Sequence, residues 1–279
     1  MSRLIIKAGA SERHYWADLW RYRELFFFLS WRDILVRYKQ TVIGVMWALI
    51  RPILTITIFT LLFSKMAKAP SDGLPAALSV CAGNLPWQFF ATAMSEASNS
   101  LVLNANMLSK IYFPRLIVPA SAVIVAFVDL LISLVIMVAL MAWYHVVPTW
   151  RLLALPLFTA MGLGAALAVG LWLAALNVRY RDFRYVIPFV VTFGAYVSPV
   201  GYPSNWILDK LATMHHAVLL QGIFLLNPMV GVIDGFRWAI GGQSPLSWSI
   251  LASVVVIALV GFSGLRYFRA TEKTFADII

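Results

Sequence analysis

The chain has 279 residues, of which 61% are apolar and only 12% charged, and it carries a formal net charge of +10. A soluble domain averages about 45 to 50% apolar and about 25% charged residues, so this composition excludes a water-soluble globule and makes lipid the implied solvent. The basic excess lies beside apolar segments rather than in a soluble patch, which excludes nucleic acid as the expected partner.

The first residues, MSRLIIKAGASERHYW, lack the apolar core and small-residue cleavage site of a secretory signal, so the first span is expected to act as its own insertion signal. Next comes HYWADLWRYRELFFFLSWRDILVRYK. It mixes Trp16, Trp20, Phe27, Trp31 and Ile34 with Arg21, Arg23, Arg32, Arg37 and Lys39, and reads either as helix lying in the cytoplasmic interface or as a basic topogenic flank. Ser30 and Asp33 have capping-box spacing, which predicts a fresh helix starting there.

Six spans are expected, at about residues 42–63, 76–99, 119–143, 152–176, 185–203 and 246–265. A helical span needs about 20 residues to cross a hydrocarbon core of about 30 Å. The runs lack the period-2 alternation of a barrel, so the fold class is an all-α integral membrane protein. Proline and Arg51 interrupt the first span and proline the fifth, while Glu96 and several Ser, Thr and Asn dilute the second. With both ends in the cytoplasm, inner segments hold sixteen of the 22 Lys and Arg, as the positive-inside rule requires.

Residues 204–243 are too apolar for a free loop and are broken by Asn227-Pro228 and glycines. Two short re-entrant helices forming a candidate outer gate are expected here, because non-helical backbone at membrane depth must be buried in protein or line water. Charged residues within or beside apolar segments (Arg51, Glu96, Asp129 and Asp234) must face protein or a passage; the sequence does not identify their partners.

There is no phosphate loop, no nucleophile elbow and no zinc motif. The one cysteine, Cys81, excludes an intrachain disulfide, and no cluster of Cys and His has metal-ligand spacing. No catalytic residue and no metal site are expected, and His14, His145, His215 and His216 are read as structural. Trp87, Phe89 and Phe90 beside Asn84, and Tyr196 and Tyr202 near Pro199 and Pro203, read as interfacial belt residues or as rings that line a passage and stack on sugar faces.

Five segments together resemble the membrane subunits of ABC type-2 polysaccharide exporters, the permeases of O-antigen, lipopolysaccharide or teichoic acid. They are WRDILVRYKQTVIGVMWALIRP at 31–52, GNLPWQFFATAMSEASNSLVLNANMLSKIYFPRLIVP at 83–119, LNVRYRDFRYVIP at 176–188, LNPMVGVIDGFRW at 226–238 and FRATEKTFADII at 268–279. The resemblance covers nearly the whole chain and implies a single ABC type-2 transmembrane domain over 1–279 in the bacterial inner membrane. It further implies a homodimer served by two separate ATPase subunits, which bind the ATP and Mg; no cofactor is expected on this chain. The implied substrate is a lipid-linked polysaccharide, most simply O-antigen. A coupling loop that docks into the ATPase would consist of Asn104, Asn106, Lys110, Tyr112, Phe113, Pro114 and Arg115, although Lys110 and Arg115 also obey the positive-inside rule.

Candidate pore or substrate contacts are Arg51, Trp87, Phe90, Tyr196 and Tyr202. Arg51 stands before Pro52 where the family pattern leads one to expect an uncharged polar residue, and a guanidinium there suits the pyrophosphate of a lipid-linked glycan. Arg32, Arg37 and Lys39 are alternative lipid-phosphate contacts. Two other functions compete: a type-2 exporter of a small drug or lipid, and an integral-membrane transferase acting on a lipid-linked sugar. The transferase would need acidic or His residues clustered at one interface, and the sequence has no such cluster.

Overall fold

A computed structural model describes residues 15–39, 45–180, 182–243, 245 and 248–275; residues 1–14, the 40–44 junction and 276–279 lie outside the described residues. Every regular element among the described residues is helical. In chain order these are α1 (Tyr15–Arg21), α2 (Arg23–Lys39), α3 (Val45–Phe59) running on into a π-helical turn (Thr60–Met66), α4 (Ala76–Leu103), α5 (Ala105–Leu108) and α6 (Ile117–Trp143). A 3-10 turn (Trp150–Ala154) leads into α7 (Leu155–Arg179), followed by α8 (Phe183–Val197), α9 (Ser204–Ala212), α10 (Ala217–Leu225), α11 (Met229–Ile240) and α12 (Trp248–Thr271).

Among the described residues, four stretches are long and apolar enough to cross a membrane: Met46–Met66, Ile117–Trp143, Trp150–Arg179 and Trp248–Thr274. A fifth qualifies only if α10 and α11, bent by 74° at their junction, act together. The two remaining expected spans differ in kind. At 28 residues, α4 rises about 42 Å, ample for a crossing, but its polar residues lower its apolarity. By contrast, α8 is apolar but only 15 residues long, about 22 Å.

The polarity of α4 follows from its position. Nineteen of its 28 residues are buried, so it meets protein rather than lipid on most of its circumference. Small side chains make this possible. Gly162, Ala166, Gly170 and Ala174 recur every four residues along α7, the small-xxx-small pattern that lets two backbones approach. A Cβ at Gly170 would lie 2.9 Å from the Ala97 Cβ of α4, and one at Gly162 would meet Phe89. Where α12 crosses α7, Gly264 similarly faces the Ala168 carbonyl, 2.8 Å from where its Cβ would stand.

Two apolar clusters divide the core. The larger surrounds α4 between α6, α7 and α11. The smaller gathers Leu29 of α2, Phe113, Val178 at the end of α7, and Phe268 and Phe275 of the C-terminal segment. The N-terminal helices, the 104–116 loop, the end of α7 and the C-terminal segment therefore share one end of the bundle. The opposite end joins other loops: Gln243 N–H donates to the Asp72 carbonyl across 3.1 Å, and Arg151 reaches the Gly242 carbonyl at 3.2 Å.

Two local expectations require correction. Ser30 does not cap a helix start but lies within α2, where its hydroxyl donates back to the Phe26 carbonyl at 2.9 Å. The run LFFFL ahead of it keeps the backbone helical, and the serine then bonds the preceding turn instead. Between α8 and α12 stand three short helices rather than two, because the left-handed His216 (φ 66°) ends the turn after α9 and Pro228 separates α10 from α11.

Candidate functional site

A cavity of about 740 Å³ opens on one side of the bundle between α3, α4, α6 and α8. At its open side stand Trp47 and Leu54 of α3 and Tyr196 of α8, 50, 55 and 52% exposed. Its inner wall is α4, which turns Asn84, Trp87, Gln88 and Thr92 toward it.

Arg51 lies on the cavity wall and is exposed. The following Pro52 has no N–H to give the Ala48 carbonyl, four residues back. The Ser133 hydroxyl of α6 lies 3.3 Å from that carbonyl and 2.8 Å from the Asp129 carbonyl. One turn above Arg51, Thr55 donates to the Arg51 carbonyl at 2.9 Å and accepts from Gln88 Nε2 at 3.3 Å. A polar chain thus crosses from α4 to α3.

The end of the cavity nearest the N-terminal helices is charged. Arg37 of α2 pairs with Asp129 of α6 at 2.7 Å and with Glu96 of α4 at 3.2 Å. Tyr38 donates a short hydrogen bond to the other oxygen of Asp129. Burial, then this hydrogen bond, raises the Tyr38 phenol above its ordinary 10.0, because ionisation beside a carboxylate is disfavoured. The partners that the sequence left open for Glu96 and Asp129 are thereby identified. Among the lipid-phosphate candidates, Arg37 lines the cavity but is engaged by two carboxylates. Arg32 is held by Asp33 at 2.7 Å and by Asn104 Oδ1 at 3.0 Å, and Lys39 is exposed at the last residue of α2.

Of the other predicted contacts, Trp87 and Tyr196 line the cavity, whereas Phe90 and Tyr202 do not. Phe90 is buried against Trp87, with ring centroids 5.4 Å apart. Tyr202 is buried and donates to the Tyr196 carbonyl at 3.1 Å, which fixes the backbone that carries Tyr196. Thr55, Gln88, Thr92 and Tyr38 were not singled out from the sequence. A legible signal existed: Asn84, Gln88, Thr92 and Glu96 recur every four residues, as do Arg51 and Thr55, and such spacing puts side chains on one face.

The expected coupling loop divides by exposure. Asn106, Lys110 and Tyr112 face outward, Asn104 and Arg115 are half-buried, and Phe113 and Pro114 are buried. Asn104 bonds back to the Ser100 carbonyl at 2.9 Å while accepting from Arg32, so the loop's first residue ties α2 to α4. At its far end the Arg115 guanidinium lies 5.9 Å from the Phe275 ring. Beside it, Tyr15 of α1 donates to Glu272 at 3.1 Å beneath the Arg269 guanidinium, 4.4 Å from the Tyr15 ring. Burial, then the Glu272 charge, raises the Tyr15 phenol above 10.0.

At the opposite end, α11 carries a fully buried cation. Arg237 Nη2 donates to the carbonyls of Pro199 and Val200, the latter at 2.8 Å. Gly83 makes room for this, since a Cβ there would stand 2.3 Å from the Val200 oxygen. One turn earlier, Asp234 accepts the Ser204 and Ser249 hydroxyls at 2.6 and 2.9 Å. The 204–243 segment is thereby fastened to the tops of α4, α8 and α12.

The sequence pattern of the ABC-2 type transporter family matches residues 24–240, which include α3 to α11 and the whole cavity wall. The chain belongs to the ABC-2 type transporter family. Three O-antigen export system permease proteins named RfbA resemble this ABC-2 chain along most of its length. That of Myxococcus xanthus is 28% identical over 267 residues, 94% of this chain and 98% of the relative. Two from Klebsiella pneumoniae are 23 and 25% identical, each over 89% of this chain and 92% of the relative.

Proposed function

We propose that this chain is the membrane-spanning permease subunit of an ABC exporter that moves a lipid-linked polysaccharide, an O-antigen in the simplest reading, across the bacterial inner membrane. A separate ATPase subunit binds ATP and Mg and supplies the energy. In this reading α3 with its π turn, α4, α6, α7, α8 and α12 are the six spans, and α9 to α11 form the re-entrant segment on the outer side. The end that gathers α1, α2, the 104–116 loop and the C-terminal segment is cytoplasmic.

The cavity carries the proposal. It has a charged pole at the end nearest the N-terminal helices, hydroxyl and amide groups along its wall, and aromatic rings at Trp87 and Tyr196. A glycan presents both hydroxyls and apolar ring faces, so it needs both kinds of group, whereas a hydrophobic drug needs only the second. Arg51 suits a phosphate at the lipid end of such a substrate. Two copies, each turning its open side to the other, would close two half-channels into one passage. The exposed apolar residues flanking the opening, Ile58 of α3 and Phe189 and Phe193 of α8, at 58, 58 and 55% exposure, suit such a homodimeric contact. The exposed Lys110 and Tyr112 are the groups available for docking to the ATPase.

The test is reconstitution of the chain with its ATPase in vesicles carrying the lipid-linked glycan on one leaflet. ATP-dependent transfer of the glycan to the other leaflet is expected. Stimulation of ATPase activity by small apolar drugs but not by the glycan would favour a drug exporter instead. Formation of a new glycan product by the purified chain alone would make it a transferase.

A further inference from the structure

Asn84 is 1% exposed and lines the cavity, yet neither its amide nitrogen nor its oxygen has a hydrogen-bond partner among the described residues. An unsatisfied buried amide costs free energy at each unpaired atom, and one on a cavity wall can be completed by a molecule held in that cavity. Asn84 also does not stand alone. Gln88 and Thr92 follow at intervals of four on the same face of α4 and also line the cavity, and each interval rises about 6 Å along the helix. Facing them on α3 are Arg51 and Thr55, the latter already bonded to Gln88, and Trp87, three residues after Asn84 on α4, also lines the cavity.

We propose that Asn84, Gln88 and Thr92 form a ladder that holds the hydroxyl groups of an uncharged sugar chain, with Asn84 as its deepest specific contact and Trp87 covering the sugar's apolar face. This rests on the glycan-export reading above. The chemistry distinguishes the ladder from Arg51. A carboxamide sets a donor beside an acceptor, which complements a vicinal diol in which one hydroxyl donates and the other accepts. The doubly esterified pyrophosphate of a lipid-linked glycan carries acceptors only, and the Asn84 oxygen would meet it unfavourably, so the lipid pyrophosphate belongs at Arg51 and the sugars at the ladder. Rungs one helical turn apart allow successive rings to bind without any site being tight, as transport requires.

The experiment measures binding of a fluorescein-labelled maltooligosaccharide to the full-length chain, assembled with its ATPase in lipid nanodiscs, alongside glycan export in cells. The variants are Asn84→Leu and the near-isosteric Gln88→Met and Thr92→Val, with thermal unfolding recorded for each. Losing one or two hydrogen bonds weakens oligosaccharide binding by about tenfold in Asn84→Leu and by about threefold in each of the others. Inorganic pyrophosphate binding, by contrast, falls in Arg51→Leu and not in Gln88→Met. Wild-type protein that does not bind the oligosaccharide, or equal binding by the wild type and all three variants that fold, overturns the ladder. Oligosaccharide binding that is lost in the variants, in a wild-type complex that exports no glycan, would overturn the export reading and leave the ladder standing.

Discussion

Arg37 Nη2 lies 2.7 Å from Asp129 Oδ2, and the same guanidinium reaches Glu96 at 3.2 Å. One cation on α2 therefore holds acidic side chains from two long helices at the charged pole of the cavity. With side-chain exposures of 31% for Arg37 and 20% for Asp129, the pair lies between a surface bridge worth about 0–1 kcal/mol and a buried one whose breakage costs about 3–5 kcal/mol. Arg37→Ala is accordingly expected to destabilise by about 1–3 kcal/mol. Adding Asp129→Asn should recover part of the loss, and a double-mutant cycle on thermal unfolding in detergent measures the coupling. Strict additivity would show that the two groups do not interact.

Gly83 of α4 and Gly170 of α7 reverse the usual sign of a helix substitution, since a Cβ at either would stand under 3.0 Å from a neighbour. Gly→Ala in a helix interior ordinarily stabilises by about 0.5–1 kcal/mol. At Gly83 the added methyl would meet the Val200 carbonyl at 2.3 Å and the Arg237 guanidinium at 2.7 Å, so Gly83→Ala should destabilise by about 2–3 kcal/mol through overpacking. Gly222 has nothing within 4 Å, and Gly222→Ala should be neutral or stabilising. Comparing the two melting temperatures decides the point.

The 104–116 loop should separate docking from folding. Phe113 is 4% exposed, and Phe113→Ala should cost about 3–5 kcal/mol as a cavity in the smaller cluster. Exposed Lys110 has no such role. Lys110→Glu should leave the melting temperature within about 1 °C while reducing co-purification of the ATPase, since a surface change away from packing alters stability by about 0.5 kcal/mol or less. Unchanged co-purification in both Lys110→Glu and Tyr112→Ala would remove the loop from the docking surface.

Alkaline pH should loosen the shared end of the bundle, at Tyr15, and the charged pole of the cavity, at Tyr38. Tyr15 and Tyr38 both have phenols held above their ordinary 10.0. A group whose pKa is raised in the folded state contributes stability that is complete below its unfolded pKa and is lost as pH climbs toward the folded value. Stability is thus expected to be flat in this contribution up to about pH 9 and to fall beyond about pH 10. Tyr15→Phe should shallow that fall, as read from melting temperatures across the alkaline range.

Sidedness has a direct readout because Cys81 is fully buried and should stay unlabelled by an impermeant maleimide. Lys110→Cys should react only from the cytoplasmic side and Lys210→Cys only from the other. Labelling of both from one side would exclude the six-span arrangement.

The sequence and the structure diverge for reasons visible at particular residues. Long lipid-facing segments such as Ile117–Trp143 are plain from apolarity, since their outward surface must match lipid. The position of α4 is harder to read, because a helix surrounded by protein carries Asn84, Gln88 and Ser98 and so resembles a poor span. Ion pairing could not be read at all: Arg37 and Asp129 are 92 residues apart, and only the crossing of α2 with α6 brings them together. Ring direction was equally hidden. Trp87 and Phe90 are neighbours in sequence, yet a shift of three residues carries the side chain from the cavity to the core.

The Ala48 carbonyl loses its usual donor four residues on to Pro52 and is met by a Ser133 hydroxyl that also reaches the Asp129 carbonyl, so α3 is held less regularly here than along the rest of its length. Beyond it, α3 carries Arg51 and Thr55. A bond at 3.3 Å that shares its hydroxyl with one at 2.8 Å is a weak tie between α6 and α3. A proline is where a helix bends most readily, and in α3 that point lies on the wall of the cavity.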